Sequence, residues 1–111
     1  MHEVGIMNDI LEIAVDSARE AGASKITSLR VQVGELSGVV PDALMFAFDV
    51  IASSTIAAGA ALSIETIPAT CICTKCGIER AGTSAVACPL CGGSSTVSRG
   101  YELLVSSIEV D

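Results

Sequence analysis

Two short runs, CTKCG over residues 73–77 and CPLCG over residues 88–92, constrain this chain more than any other part of it. Cys73 and Cys76 are separated by two residues, as are Cys88 and Cys91, with eleven residues between the pairs. Two intervening residues let both sulfurs meet one ion from a single tight turn. Gly77 and Gly92 follow each pair, where backbone amides must fold over the sulfurs and a positive φ is convenient. Four thiolates at tetrahedral corners suit Zn(II), at about 2.3 Å per bond, and leave no open position, so the ion folds the segment and performs no hydrolysis. Iron can occupy a similar four-thiolate site, but a closed structural site favours zinc. A redox dithiol needs one pair at the start of a helix, whereas two matched pairs in a glycine-rich stretch point to chelation. Cys71 lies two residues before Cys73 and would share its side of an extended chain; it reads as a spare thiol at a strand end.

The ion is needed because residues 69–99 are dominated by Gly, Ser, Thr and Cys and lose all apolar periodicity. A structureless loop of that length is unusual in a compact domain. On either side the periodicity is clear. In residues 5–21, Met7, Ile10, Leu11, Ala14, Ala18 and Ala21 face away from Asp9, Glu12, Asp16, Arg19 and Glu20, which predicts a helix stopped by Gly22. Leu29, Val31 and Val33 alternate with Ser28, Arg30 and Gln32, the pattern of a half-buried strand. Pro41 suits a first helical turn and Asp42 the positive helix end; Leu44, Met45, Phe48, Ile51 and Ala52 give a second apolar stripe, with the helix ending near Gly59. Glu35 reads as a loop acid. Leu62, Ile64 and Thr66 alternate with Ser63 and Glu65 in a second strand. YELLVSSIEV forms the last strand, with less clean alternation. The order predicts an α+β fold: a small three-stranded sheet covered by two helices, with an inserted zinc-ribbon-like four-cysteine domain. The expected division is residues 1–68 plus 100–111 for the α/β part and 69–99 for the insert, with the strands flanking the insert as hairpin partners.

Charge narrows the function. Six Lys and Arg against thirteen Asp and Glu leave a formal charge of −7, which disfavours nucleic acid and anionic membrane surfaces and favours cations. Residues 1–15 are acidic and lack a basic start, unlike a signal peptide. Residues 50–64 are uncharged but short of the ~20 residues of a span and carry Ser53, Ser54, Thr55 and Gly59. A cytoplasmic protein with reduced thiols is expected. Half the chain is hydrophobic, yet only Phe46, Phe48 and Tyr101 are aromatic, so the core is aliphatic. No Ser-His-Asp set, phosphate loop or Rossmann fingerprint occurs, and one histidine limits general-base schemes; the chain is not expected to be an enzyme.

That histidine, His2, stands beside the amino terminus. Its imidazole, the α-amine of Met1 and the intervening backbone nitrogen can close fused chelate rings on Ni(II) or Cu(II), which favour square-planar nitrogen sites. Glu3 can add its amide nitrogen or a carboxylate oxygen. His is too bulky for routine removal of the preceding Met. Taken together, MHE before an amphipathic helix, VGELSGVVPDALMFAFD, CxxCG with CPxCGG, and GYELLVSSIEVD resemble the HypA family of hydrogenase maturation factors over essentially the whole chain. The resemblance implies a nickel metallochaperone that delivers Ni(II) to a [NiFe]-hydrogenase large-subunit precursor, and in some bacteria to urease, with a nickel-handling GTPase as partner. It implies nickel binding by His2 with Met1 and Glu3, and structural Zn(II) on Cys73, Cys76, Cys88 and Cys91. The competing reading is a zinc-ribbon interaction adaptor without metal delivery.

Overall fold

The computed structural model describes residues 3–83 and 87–111 of the chain. In order, they form helix α1 (Glu3–Glu20), strand β1 (Ile26–Gly34), helix α2 (Pro41–Ile51), a short 3-10 turn (Ala52–Ser54), and strands β2 (Ala61–Ile67), β3 (Thr70–Cys73), β4 (Glu79–Ala81), β5 (Ser95–Arg99) and β6 (Leu103–Val110). The α+β expectation holds: two helices cover one face of a three-stranded sheet.

That sheet runs β2-β1-β6, with β1 parallel to β2 and antiparallel to β6. The strands flanking the insert are therefore not hairpin partners, as the sequence suggested; β1 lies between them. Leu29, Val31 and Val33 are all at most 1% exposed, so burial favours β1 in the centre. The serine- and glutamate-bearing strands take the edges, where polar side chains stay wet. Helix α2 supplies the crossover that makes β2 parallel. Three rows then cross the core face: Leu62–Leu29–Ile108, Ile64–Val31–Val105 and Thr66–Val33–Leu103.

Strand β6 reaches both Val105 and Ile108 through a bulge. Arg30 pairs with Ser107 and Val31 with Val105, which leaves Ser106 as the extra residue. Its hydroxyl donates to the Arg30 carbonyl at 3.2 Å. The uneven alternation of the last strand is the signature of this bulge.

Met7, Ile10, Leu11, Ala14 and Ala18 of α1 pack on the sheet and on Leu44, Ala47 and Phe48 of α2. Fully burying a side chain such as Met7, Leu29 or Leu44 contributes about 1.5–3 kcal/mol relative to exposure. Helix α1 stops with an Ala23 N–H donated to the Ala18 carbonyl at 2.9 Å. Helix α2 ends at Ile51 rather than near Gly59. Ser53, Ser54 and Thr55 hydroxyls donate to the Val50, Ile51 and Ala52 carbonyls and so close its last turn. Met45, expected on the buried stripe, is 42% exposed. The buried positions are 44, 47 and 48, and Met45 lies about 100° round the helix from Leu44.

Strands β3, β4 and β5 build a second three-stranded sheet, β4-β3-β5, that the missing periodicity did not reveal. Its roots leave the first sheet at one end, where Gly34 pairs with Ile67 and Val33 with Leu103. There the β1–α2 turn and both crossings are knitted together. Gly34 donates its N–H to the Glu102 carbonyl at 2.6 Å, Glu35 to Ile67 at 2.8 Å and Leu36 to Gly100 at 2.7 Å. The Glu35 carboxylate accepts from the Ala69 N–H at 3.3 Å. A Cβ on Gly34 would overlap the Gly100 carbonyl, so this approach requires glycine. The described residues extend over 54 × 26 × 17 Å, with a radius of gyration of 17.4 Å, against about 13 Å for a compact domain of this length.

Candidate metal centre

The two cysteine turns are built alike, residue for residue. The Cys73 N–H donates to Ile78 and the Gly77 N–H returns to Cys73; the Cys88 N–H donates to Gly93 and the Gly92 N–H returns to Cys88. Gly77 and Gly92 take φ values of +76° and +73°, the left-handed conformation expected for each. The second glycine of CGG has a role the spacing did not show. A Cβ on Gly93 would sit 3.1 Å from Lys75 Cβ and 3.3 Å from Cys73 Sγ, so a larger residue there would make the two turns give by a few tenths of an ångström. The doubled glycine was the signal.

These turns bring Cys73, Cys76, Cys88 and Cys91 together, with all four sulfurs within 4.8 Å of one another. Cys73 and Cys91 lie 3.4 Å apart, and Cys76 and Cys88 3.7 Å. A regular tetrahedron with the ~2.3 Å bonds of a zinc thiolate has edges of about 3.8 Å, so the donor set and its spacing fit a tetrahedral metal ion. All five cysteines are free thiols.

Backbone amides prepare the sulfurs for an ion. The Cys76 and Lys75 N–H groups point at Cys73 Sγ from 3.5 and 3.4 Å and hold its thiol down at about 6, against an ordinary 9.0. The Leu90 and Cys91 amides lower Cys88 in the same way. The Gly93 amide pulls Cys91 down, but Cys73, desolvation and the other sulfurs outweigh it and push that thiol up to about 11. Crowded sulfurs cannot all carry charge without a cation among them.

Cys71 is fully buried on the same side of β3 as Cys73, but its thiol donates toward the Arg80 carbonyl at 3.7 Å and is not one of the four gathered sulfurs. Glu3 is the half-buried first residue of α1. Met1 and His2, the other two residues expected to hold nickel, lie outside the described residues. The first turns of α1 lie at the sheet end that leads to the second sheet, because Ile6 and Leu103 line one shallow cleft. Asp42 sits in the first turn of α2, as expected. Glu35 serves the joint between the sheets, a tertiary role that a loop acid does not advertise.

Comparison with known proteins agrees with this geometry. The family profile described as HypA, hydrogenase/urease nickel incorporation, metallochaperone, matches residues 1–110. The hydrogenase maturation factor HypA of Picosynechococcus sp. is 43% identical over 114 residues, covering 99% of each chain. That of Dehalococcoides mccartyi is 40% identical over 113 residues, covering all of this chain and 95% of the relative. The solution structure of the nickel metallochaperone HypA from Helicobacter pylori shares the fold with a TM-score of 0.74 at 21% identity, covering 99% of this chain and 97% of that one. A second solution structure of a HypA protein superposes with a TM-score of 0.76 at 23% identity, over 100% and 97% of the two chains. With its two helices on one sheet, its four gathered cysteines and a match running from residue 1 to residue 110, this chain belongs to the HypA family of nickel metallochaperones for hydrogenase maturation.

Proposed function

We propose that this chain captures Ni(II) with its first three residues and surrenders it to a [NiFe]-hydrogenase large-subunit precursor, or to urease, in the cytoplasm. The observation that carries this reading is full-length family membership in a sequence that opens Met1-His2-Glu3. The His2 imidazole, the Met1 amine and the amide between them form the planar nitrogen set, and Glu3 adds its amide or its carboxylate. Nickel is cargo. It must be both held and released, so protonation or a partner with better ligands drives its departure. Affinity falls on acidification, because amine, imidazole and amide all lose protons to bind. The intrinsic order places Cu(II) above Ni(II), so metal supply and partner choice set the selectivity.

Cys73, Cys76, Cys88 and Cys91 hold a resident Zn(II), whose chemistry here is to fold residues 69–99 as a unit distinct from residues 1–68 and 100–111. The closed four-sulfur shell offers no position for a substrate, in keeping with a carrier that is not an enzyme. A nickel-handling GTPase is the natural partner, since this chain carries no phosphate loop and any nucleotide dependence comes from elsewhere. Among the described residues no helix is long and apolar enough to cross a membrane.

The test is a nickel titration of untagged protein, wild type against His2→Ala, with zinc content measured in both. Loss of nickel at unchanged zinc is expected. Nickel retained by His2→Ala, or by a protein whose amino terminus is extended by two residues, would overturn the planar site. In that case the chain would act as a zinc-braced adaptor.

A further inference from the structure

Helix α2 spends one of the chain's two phenylalanines on solvent. Phe48 is buried at 4% exposure, whereas Phe46 is 71% exposed, Val50 one turn on is 62% exposed, and Met45 beside them is 42% exposed. Phe46 and Val50 lie four residues apart, so their side chains meet on one face. Exposed Asp42 and Asp49 border that face, and neither has an ion-pair partner among the described residues. Between Arg30 and Lys75 the sequence holds Glu35, Asp42, Asp49 and Glu65 and no basic residue. Arg19 lines the cleft between α1 and α2 near Ile51, but Glu12 and Asp16 share that cleft with it.

From this arrangement we infer that the outer face of α2, centred on Phe46 and Val50 and edged by Asp42 and Asp49, docks an amphipathic, basic segment of another protein. Apolar side chains of the segment cover Phe46 and Val50, while its Lys or Arg residues pair with the two aspartates. Charge selects this occupant over the others. A second copy of this chain, seated by two-fold symmetry, would bring Asp42 and Asp49 against like charges. An anionic lipid surface would be repelled by the same two groups. The inference goes beyond nickel capture and stands apart from it, because none of these residues belongs to the proposed nickel set or to the cysteine group.

Photo-crosslinking tests it on the full chain in cells. Phe46→p-benzoylphenylalanine keeps an aromatic ring at a solvent position, and the same label at exposed Ser63 on the open face of the sheet serves as control. Irradiation is expected to join position 46 to a segment of a different protein rich in Lys or Arg and apolar residues. Asp42→Asn/Asp49→Asn in the labelled chain should cut the adduct yield at least fivefold at unchanged zinc content. A synthetic peptide copying the joined segment should bind unlabelled protein at least tenfold more weakly when those aspartates are replaced or the salt is raised. An adduct with the chain itself, with lipid or with an acidic segment would overturn the inference. So would a yield no higher than at Ser63, or one indifferent to the aspartate changes. Nickel titration of the labelled protein reads the carrier function separately.

Discussion

At the scale of single residues, the sulfur group is defined by unequal protonation. Cys73 is lowered to about 6 by the Cys76 and Lys75 amides, so it is already a thiolate at neutral pH. Its anionic form contributes stability that is present above the ordinary thiol range and is lost as the pH falls through about 6. Cys91 has the opposite sign, a thiol raised to about 11 by its neighbours, which must surrender its proton when an ion binds. Zinc loading of the metal-free protein at pH 7 should therefore release protons, and the apparent affinity should climb as the pH rises above 6. Isothermal titration in two buffers of different ionisation enthalpy measures that release directly; an enthalpy independent of buffer would refute the assignment. The four cysteines were legible in the sequence because spacing alone determines which sulfurs can share an ion. Gly93 was not, since its reason is a contact with Lys75 and Cys73 across the fold.

At the scale of elements, legibility followed burial. Helix α1 and strand β1 each face a core on one side, so their period shows, and both lie where the pattern put them. Strands β4 and β5, reading ERA and STVSR, are mostly exposed and are held by their pairing with β3, so they carry no apolar alternation to read. The position of β1 between β2 and β6 was missed for a related reason, because adjacency in the chain says nothing about which strand the core will bury deepest. The joint between the sheets makes the sharpest prediction at this scale. Gly34→Ala must push apart β1 and the Gly100–Glu102 crossing, which share the 2.6 Å bond from Gly34 to Glu102. Overpacking of this kind costs about 1–3 kcal/mol. A lowered melting midpoint is expected, with faster amide exchange at Leu36 and Gly100 and unchanged zinc content. Wild-type exchange rates at both amides would show that the joint is looser than its hydrogen bonds imply.

At the scale of the whole molecule, two sheets lie along a 54 Å axis, one braced by aliphatic side chains and the other by its cysteine turns. Removing zinc with a chelator should therefore melt residues 70–99 and spare the helices. In an amide correlation spectrum, resonances of 70–99 are expected to collapse while those of α1, β1 and α2 persist; loss of both sets together would mean a single cooperative unit. The order of the strands carries a consequence for biosynthesis. β6 follows β1 and β2 in the chain by more than thirty residues, yet it pairs with β1 from Ile26 to Val33. Until it arrives, one edge of the central strand is bare and open to the wrong neighbour. The roots of the insert stand one strand apart on either side of β1, about 10 Å from each other. An insert that closed around a metal ion first would deliver the closing strand to its berth, and a shortage of that metal would leave nascent chains with an unsealed sheet.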